Sequence, residues 1–102
     1  MITRYRGDTQ RLNISLSSGG VKVDLSTVDK VELGVDKEGT VLVIECIKDA
    51  DPTSGVVYAP FIPTDLDVVG TFPFDVQVSW YDGTKTTILI DRFKILDDVN
   101  KT

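Results

Sequence analysis

Asp65, Asp67 and Asp75 are the residues whose type and spacing come nearest to catalysis. Two carboxyl groups about 5–10 Å apart, one protonated and one ionised, cleave glycosidic bonds. No aromatic platform accompanies them in the sequence, and a chain of 102 residues is small for a sugar cleft. Asp65 and Asp67 fit better at the start of a short turn, where carboxylates meet unpaired backbone N–H groups. A second acidic stretch, Asp49-Ala50-Asp51-Pro52-Thr53, opens like an oxygen-rich calcium loop. An EF-hand loop needs glycine at its sixth position and glutamate at its twelfth, where Ser54 and Pro60 stand. Arg6-Gly7-Asp8 is a tripeptide that integrins read, but three residues match often by chance. The plainer reading is a turn, with Gly7 supplying conformational freedom and Asp8 accepting from nearby N–H groups.

The residue inventory excludes more chemistry than it suggests. Without histidine there is no Ser-His-Asp or Cys-His system and no imidazole metal site. A lone cysteine allows no internal disulfide and no thiolate cluster. Glycine-rich phosphate loops and the G-x-S-x-G elbow are missing. The expectation is therefore no enzyme, no cofactor and no metal. Sixteen acidic against eleven basic residues give a net charge of -5, which repels phosphate backbones, and the basic residues are scattered. Nucleic acid is not an expected partner. The N-terminal residues lack the apolar region of a signal peptide. The run Val41-Leu42-Val43-Ile44 falls far short of the ~20 residues of a membrane span, so no membrane insertion is expected. Cys46 suits a reducing compartment, or is a buried thiol.

Almost every segment repeats with the period of a strand. Leu12, Ile14 and Leu16 alternate with polar residues until Ser18-Gly19-Gly20 turns the chain. Val31, Leu33 and Val35 alternate next, Asp36 to Gly39 forms a turn, and Val41 to Ile47 reads as the returning, doubly covered central strand. Residues 49–55 read as a loop closed to helix by Pro52. At most one short helical turn fits, near 64–69. Phe72, Phe74, Val76, Val78 and Trp80 line one face of a long strand, with Pro73 on the wet side. Asp82-Gly83 predicts a two-residue type I′ hairpin turn. Ile88 and Ile90 share a face, but Phe93 and Ile95 fall on the other phase, which predicts a β-bulge near Asp91-Arg92.

About seven short strands and turn signals every ~8–14 residues predict an all-β fold: an immunoglobulin-like antiparallel β-sandwich, with a small closed barrel as the alternative. It forms a single domain over 1–102, with its core at about 10–96 and a polar tail at 97–102. Phe72, Phe74 and Trp80 are expected in the core. Tyr5, Phe61, Ile62 and Tyr81 are harder to place inward and are the candidate contacts with another chain, since aromatic residues concentrate at interface centres.

The order of these marks adds a resemblance. Arg6-Gly7-Asp8-Thr9 leads an alternating strand, followed by Val23-Asp24-Leu25-Ser26 and Val31-Glu32-Leu33-Gly34-Val35. Ser54-Gly55-Val56-Val57-Tyr58, Gly70-Thr71-Phe72 and Trp80-Tyr81-Asp82-Gly83 complete the pattern. Over about residues 2–96 it resembles the N-terminal immunoglobulin-like domain of bacteriophage baseplate upper proteins, which recurs in phage tail and fibre proteins. The resemblance implies a virion structural part, made in the bacterial host cytoplasm, that docks onto other virion proteins in symmetric copies. It also implies that Leu25 plugs the core, and it carries over no catalytic residue. Such domains usually begin a longer protein. This chain is therefore expected either to stand alone or to work with a fibre supplied by another gene. A carbohydrate-binding sandwich that recognises a host surface glycan is the other expectation, using exposed Tyr5, Tyr81 and Phe61.

Overall fold

A computed structural model describes residues 1–62 and 65–97. Its strands are β1 (Ile2–Tyr5), β2 (Leu12–Ser15), β3 (Ser17–Ser18), β4 (Val21–Lys22), β5 (Val28–Lys37), β6 (Thr40–Glu45), β7 (Ile47–Lys48), β8 (Val56–Ala59), β9 (Gly70–Trp80) and β10 (Lys85–Leu96). One sheet runs β1-β10-β9-β5-β6, a second β2-β8-β7, and β3 pairs with β4 as a small hairpin. Leu12, Ile14 and Leu16 meet Val57 and Ala59 from the smaller sheet, and Val31, Leu33, Val35, Val76 and Val78 from the larger one, in a single buried cluster. The protein is an all-β sandwich. Seven of its described strands have four or more residues. Leu25 is buried as the resemblance implied, set there by a 3₁₀ turn (Leu25–Thr27) that Asp24 caps.

Several expectations give way, each for a local reason. The sheet is not purely antiparallel, because β1, unforeseen as a strand, pairs parallel to β10. Ile2 packs against the core, so the packed region begins before residue 10. The type I′ turn falls at Glu38-Gly39, where both residues have positive φ, whereas Asp82 does not. After β9 the loop instead has three residues. The Gly83 N–H bonds the Trp80 carbonyl at 3.0 Å, the Trp80 N–H bonds the Thr84 carbonyl at 2.9 Å, and Gly83 is left-handed (φ 92°). That is a type I turn closed by a glycine bulge. The strand bulge comes at Ile88, between Thr87 and Leu89, rather than near Asp91-Arg92. Its earlier position sends Phe93 and Ile95 inward and turns Ile90 out to 76% exposure.

The helical turns also move. Residues 65–69 hold no helix, and Thr64 lies outside the described residues. The second 3₁₀ turn is Pro52–Ser54, capped by the Asp51 carboxylate. Pro52 opens this turn instead of forbidding it, because the N–H that proline lacks would find no partner within the first turn. Most consequential is Val41 to Ile47. Only one of its faces is covered: Ile44 and Cys46 are buried and Leu42 packs against the core, but β6 is the edge of the larger sheet, and the chain crosses to the smaller sheet at Cys46 to become β7. Val41 is 62% exposed.

Cys46 is buried at that crossing. Burial pushes its thiol up to about 11, and the neighbouring carboxylates of Glu32 and Glu45 add to the rise against a backbone hydrogen bond from Leu33. The nucleophile is the thiolate. Against an ordinary thiol near 9, the folded protein holds about 100-fold less of it at neutral pH. Aromatic disulfide reagents are expected to label Cys46 at least ~100-fold more slowly in the native protein than in urea. Equal rates would place the thiol at the surface.

Candidate functional site

Asp65 and Asp67 are held by partners of their own, and Asp75 lies on a strand. Asp65 caps its own loop, its Oδ2 accepting from the Ile62 N–H at 2.8 Å. Lys37 Nζ donates to the Asp65 carbonyl and to Asp67 Oδ1, both at 3.0 Å. That hydrogen bond lowers the Asp67 carboxyl below its ordinary value, opposite to what a general acid needs. Asp75 sits mid-strand on the outer sheet face, paired with Gly34 and Ile90. In the 49–55 loop, Asp51 Oδ1 accepts from the Thr53 N–H and hydroxyl, and Asp49 accepts from the Ser54 hydroxyl. Among the described residues, no three acidic or thiol groups converge as metal ligands would. Arg6-Gly7-Asp8 is a turn: Gly7 has φ 84°, Asp8 Oδ2 accepts from the Tyr5 N–H, and Arg6 pairs with Asp97 at 3.0 Å.

The four candidate contact residues do not form one patch. Phe61 is a correction: it is 5% exposed, its ring set edge-on to Phe93 at 5.9 Å, so no partner reaches it. Phe61 belongs to the buried core cluster, where its ring adds to the contact between Phe93 and Phe74. Tyr5, Ile62 and Tyr81 are exposed. Tyr5 is paired with Leu96, next to the Gly70 end of β9, whereas Tyr81 follows its Trp80 end. Eleven residues of strand separate those ends by roughly 33 Å.

Two surfaces remain. The first is the outer face of the larger sheet. Pairing places Gly34 opposite Val43 on β6 and Asp75 on β9, with Ile90 beyond on β10. Because Gly34 has no side chain, a shallow hollow of about 250 Å³ opens there, bounded by Val41, Pro73, Asp75 and Ile90. Val41, Val43 and Ile90 are all exposed aliphatics. They were missed because an unbroken apolar run reads the same in a covered strand as in an edge strand. Ile90 was missed because the bulge was placed three residues late.

The second surface is an open cleft of about 580 Å³ at the Tyr81 end, lined by Ser26, Thr27, Trp80, Tyr81, Asp82 and Thr84. Trp80 is half-buried, not enclosed like Phe72 and Phe74. The Asp82 carboxylate accepts from the Thr84 N–H and hydroxyl, which holds it below its ordinary value. Lys48 lies 5.9 Å from the Tyr81 ring.

Fold and surfaces together define an all-β sandwich that carries an exposed aliphatic sheet face and an open cleft beside two aromatic residues. No known family matches the sequence, and no characterised protein matches it. Among solved structures, the chain is similar to the SrpA adhesin R347E mutant from Streptococcus sanguinis, with a TM-score of 0.53 and 14% identity. The match covers 95% of this chain and 55% of the adhesin chain, so this chain spans about half its length. At that identity the likeness shows the fold alone. Among the described residues, no helix is long and apolar enough to cross a membrane.

Proposed function

We propose that the chain is a non-enzymatic structural module of a bacteriophage virion, in the tail, baseplate or fibre attachment. It docks onto other virion proteins in repeated symmetric copies through the outer face of its larger sheet. The exposed aliphatic group Val41, Val43 and Ile90 around the Gly34 hollow carries this reading. Apolar patches rimmed by polar residues mark protein contacts, and the sequence resemblance supports the virion setting. Ile90→Lys places a charge on that face, at the rim of the Gly34 hollow, without touching the core. Purified particles are expected to hold the wild-type chain at a fixed ratio to a tail protein, and to lose most of it with Ile90→Lys. Equal incorporation of both would sink the reading.

The aromatic cleft favours a second reading, a carbohydrate-binding sandwich. Rings and polar groups around an open trough suit stacking and hydrogen bonding of a sugar. Trp80 is the sole tryptophan, so its fluorescence reports on that cleft directly. A saturable change on adding host surface glycan, abolished by Tyr81→Ala and unaffected by Ile90→Lys, would favour the glycan over the docking module.

A further inference from the structure

The larger sheet has two edges of different character. β1 is four residues long and carries Arg4. β6 is six residues long, and from Thr40 to Ile44 it holds no charge, proline or glycine. Open edges are ordinarily blunted by lysine, proline or a bulge, since their unpaired N–H and C=O groups invite another strand. The direction of those groups on β6 is fixed by the bond just beyond its end, where the Cys46 N–H donates to the Val31 carbonyl at 2.8 Å. Groups alternate along an antiparallel strand. Thr40, Leu42 and Ile44 therefore bond β5, while the N–H and C=O groups of Val41, Val43 and Glu45 point to the open side.

We propose that β6 pairs antiparallel with β6 of a second copy about a two-fold axis at Leu42, joining two five-stranded sheets into one of ten strands. The inference rests on the docking reading and names the occupant of the β6 side of that face. In this register Val41 lies opposite the second copy's Val43, and Val43 opposite its Val41. The residues with outward-pointing groups thus meet each other, and four valines cluster on the outer face. Such a patch is complementary to itself, as a two-fold contact requires. Charge selects the place as well. A chain of net charge -5 repels its copy, and the uncharged stretch Thr40–Ile44 is where the two can approach. Glu38 and Glu45 bracket the seam, so added salt strengthens the pairing. One short strand buries less than the ~1,200 Å² of a standard stable interface, so the contact is weak singly and effective in an array of copies.

Sedimentation of the full chain from about 10 µM to 1 mM tests the pairing. The wild type is expected to shift from monomer to dimer over that range, and at lower concentration in ~1 M salt than in ~0.1 M. Val43→Pro removes an N–H that the monomer does not use and that an edge strand can spare. Its circular dichroism is expected to match the wild type while the dimer is lost. Val43→Lys sets two ammonium groups together across the axis and is expected to lose the dimer too, which keeps the test intact should the proline variant unfold. Ile90→Lys, on β10 three strands away from β6, is expected to dimerise like the wild type. A wild type that stays monomeric throughout, or a dimer that survives Val43→Lys, overturns the pairing. Neither result touches the docking reading, which fails only on equal particle incorporation of wild type and Ile90→Lys.

Discussion

Phe93→Ala is expected to destabilise the protein by about 4 kcal/mol, within the ~3–5 kcal/mol range for removing a buried ring. Phe93 has no exposed surface. Its ring lies 4.5 Å from Phe74 within the larger sheet and 5.9 Å from Phe61, which arrives from the smaller sheet. The three rings therefore join the layers. Alanine would leave a cavity walled by rigid aromatics on sheets held apart by other residues, so collapse into the gap is limited. Stabilities of such domains run at about 5–15 kcal/mol, so this single change removes a large share. Chemical denaturation should show a lower midpoint with an unchanged slope, since the fold's exposed surface on unfolding hardly alters. Phe93→Leu refills most of the volume and is expected to cost about half as much. A loss under ~1 kcal/mol for Phe93→Ala would mean the rings do not bridge the layers.

The same residue shows how far the sequence could be read. Phe93 and Ile95 are out of phase with Ile90, and that mismatch alone demands an extra residue in the strand. The bulge was therefore legible, but its position was not. Alternation says only that a phase changes between two apolar residues, and the pairing with β9 decides where. The place matters functionally, because a bulge at Ile88 leaves Ile90 as a surface residue on the proposed contact face. Phe72, Phe74, Val76 and Val78 were legible because each is flanked by polar or small residues that fix the inner face. Val41 to Ile44 was not: hydrophobicity on both faces satisfies a covered strand and an edge awaiting a partner equally well. Phe61 failed for a different reason. It lies outside any periodic segment, between Pro60 and Ile62, so only the packing of the two layers determines which of the adjacent apolar side chains enters.

The proposed contact surface is also where ordinary protection against edge pairing is relaxed. Elsewhere several charged groups are tied to local backbone or to one another: Asp24 to Ser26, Asp51 to Thr53, Asp82 to Thr84, Lys37 to Asp67. Those contacts stiffen turns and set the ends of strands. Neither Val41 nor Val43 contributes to the inner core, and no residue of β6 between Thr40 and Ile44 offers a charge to turn a strand away. A solitary soluble bead gains nothing from that arrangement. A module that works against other chains does, which is the physical sense of the proposed docking role.

Gly55→Ala is expected to cost about 3 kcal/mol, although it adds only one methyl group. Gly55 ends the Pro52–Ser54 turn in the left-handed region, at φ 70° and ψ 14°. A non-glycine residue pays about 1–2 kcal/mol for that conformation alone. A β-carbon there would also lie 2.9 Å from the Leu16 carbonyl oxygen and 3.2 Å from that of Val23. Both are backbone atoms, and they are tied together: the Leu16 N–H bonds the Gly55 carbonyl at 2.8 Å, and the Val23 N–H bonds the Leu16 carbonyl at 3.0 Å. No side chain can rotate to make room, so relief requires parting β8 from the chain after β2. Gly83→Ala separates the two effects. Gly83 has φ 92° but open space where its β-carbon would stand, so only the conformational part, about 1–2 kcal/mol, should be lost. Equal losses for the two variants in parallel denaturant titrations would mean that close packing at Gly55 plays no part. A clearly larger loss at Gly55 would establish that the turn is held by backbone pressed against backbone.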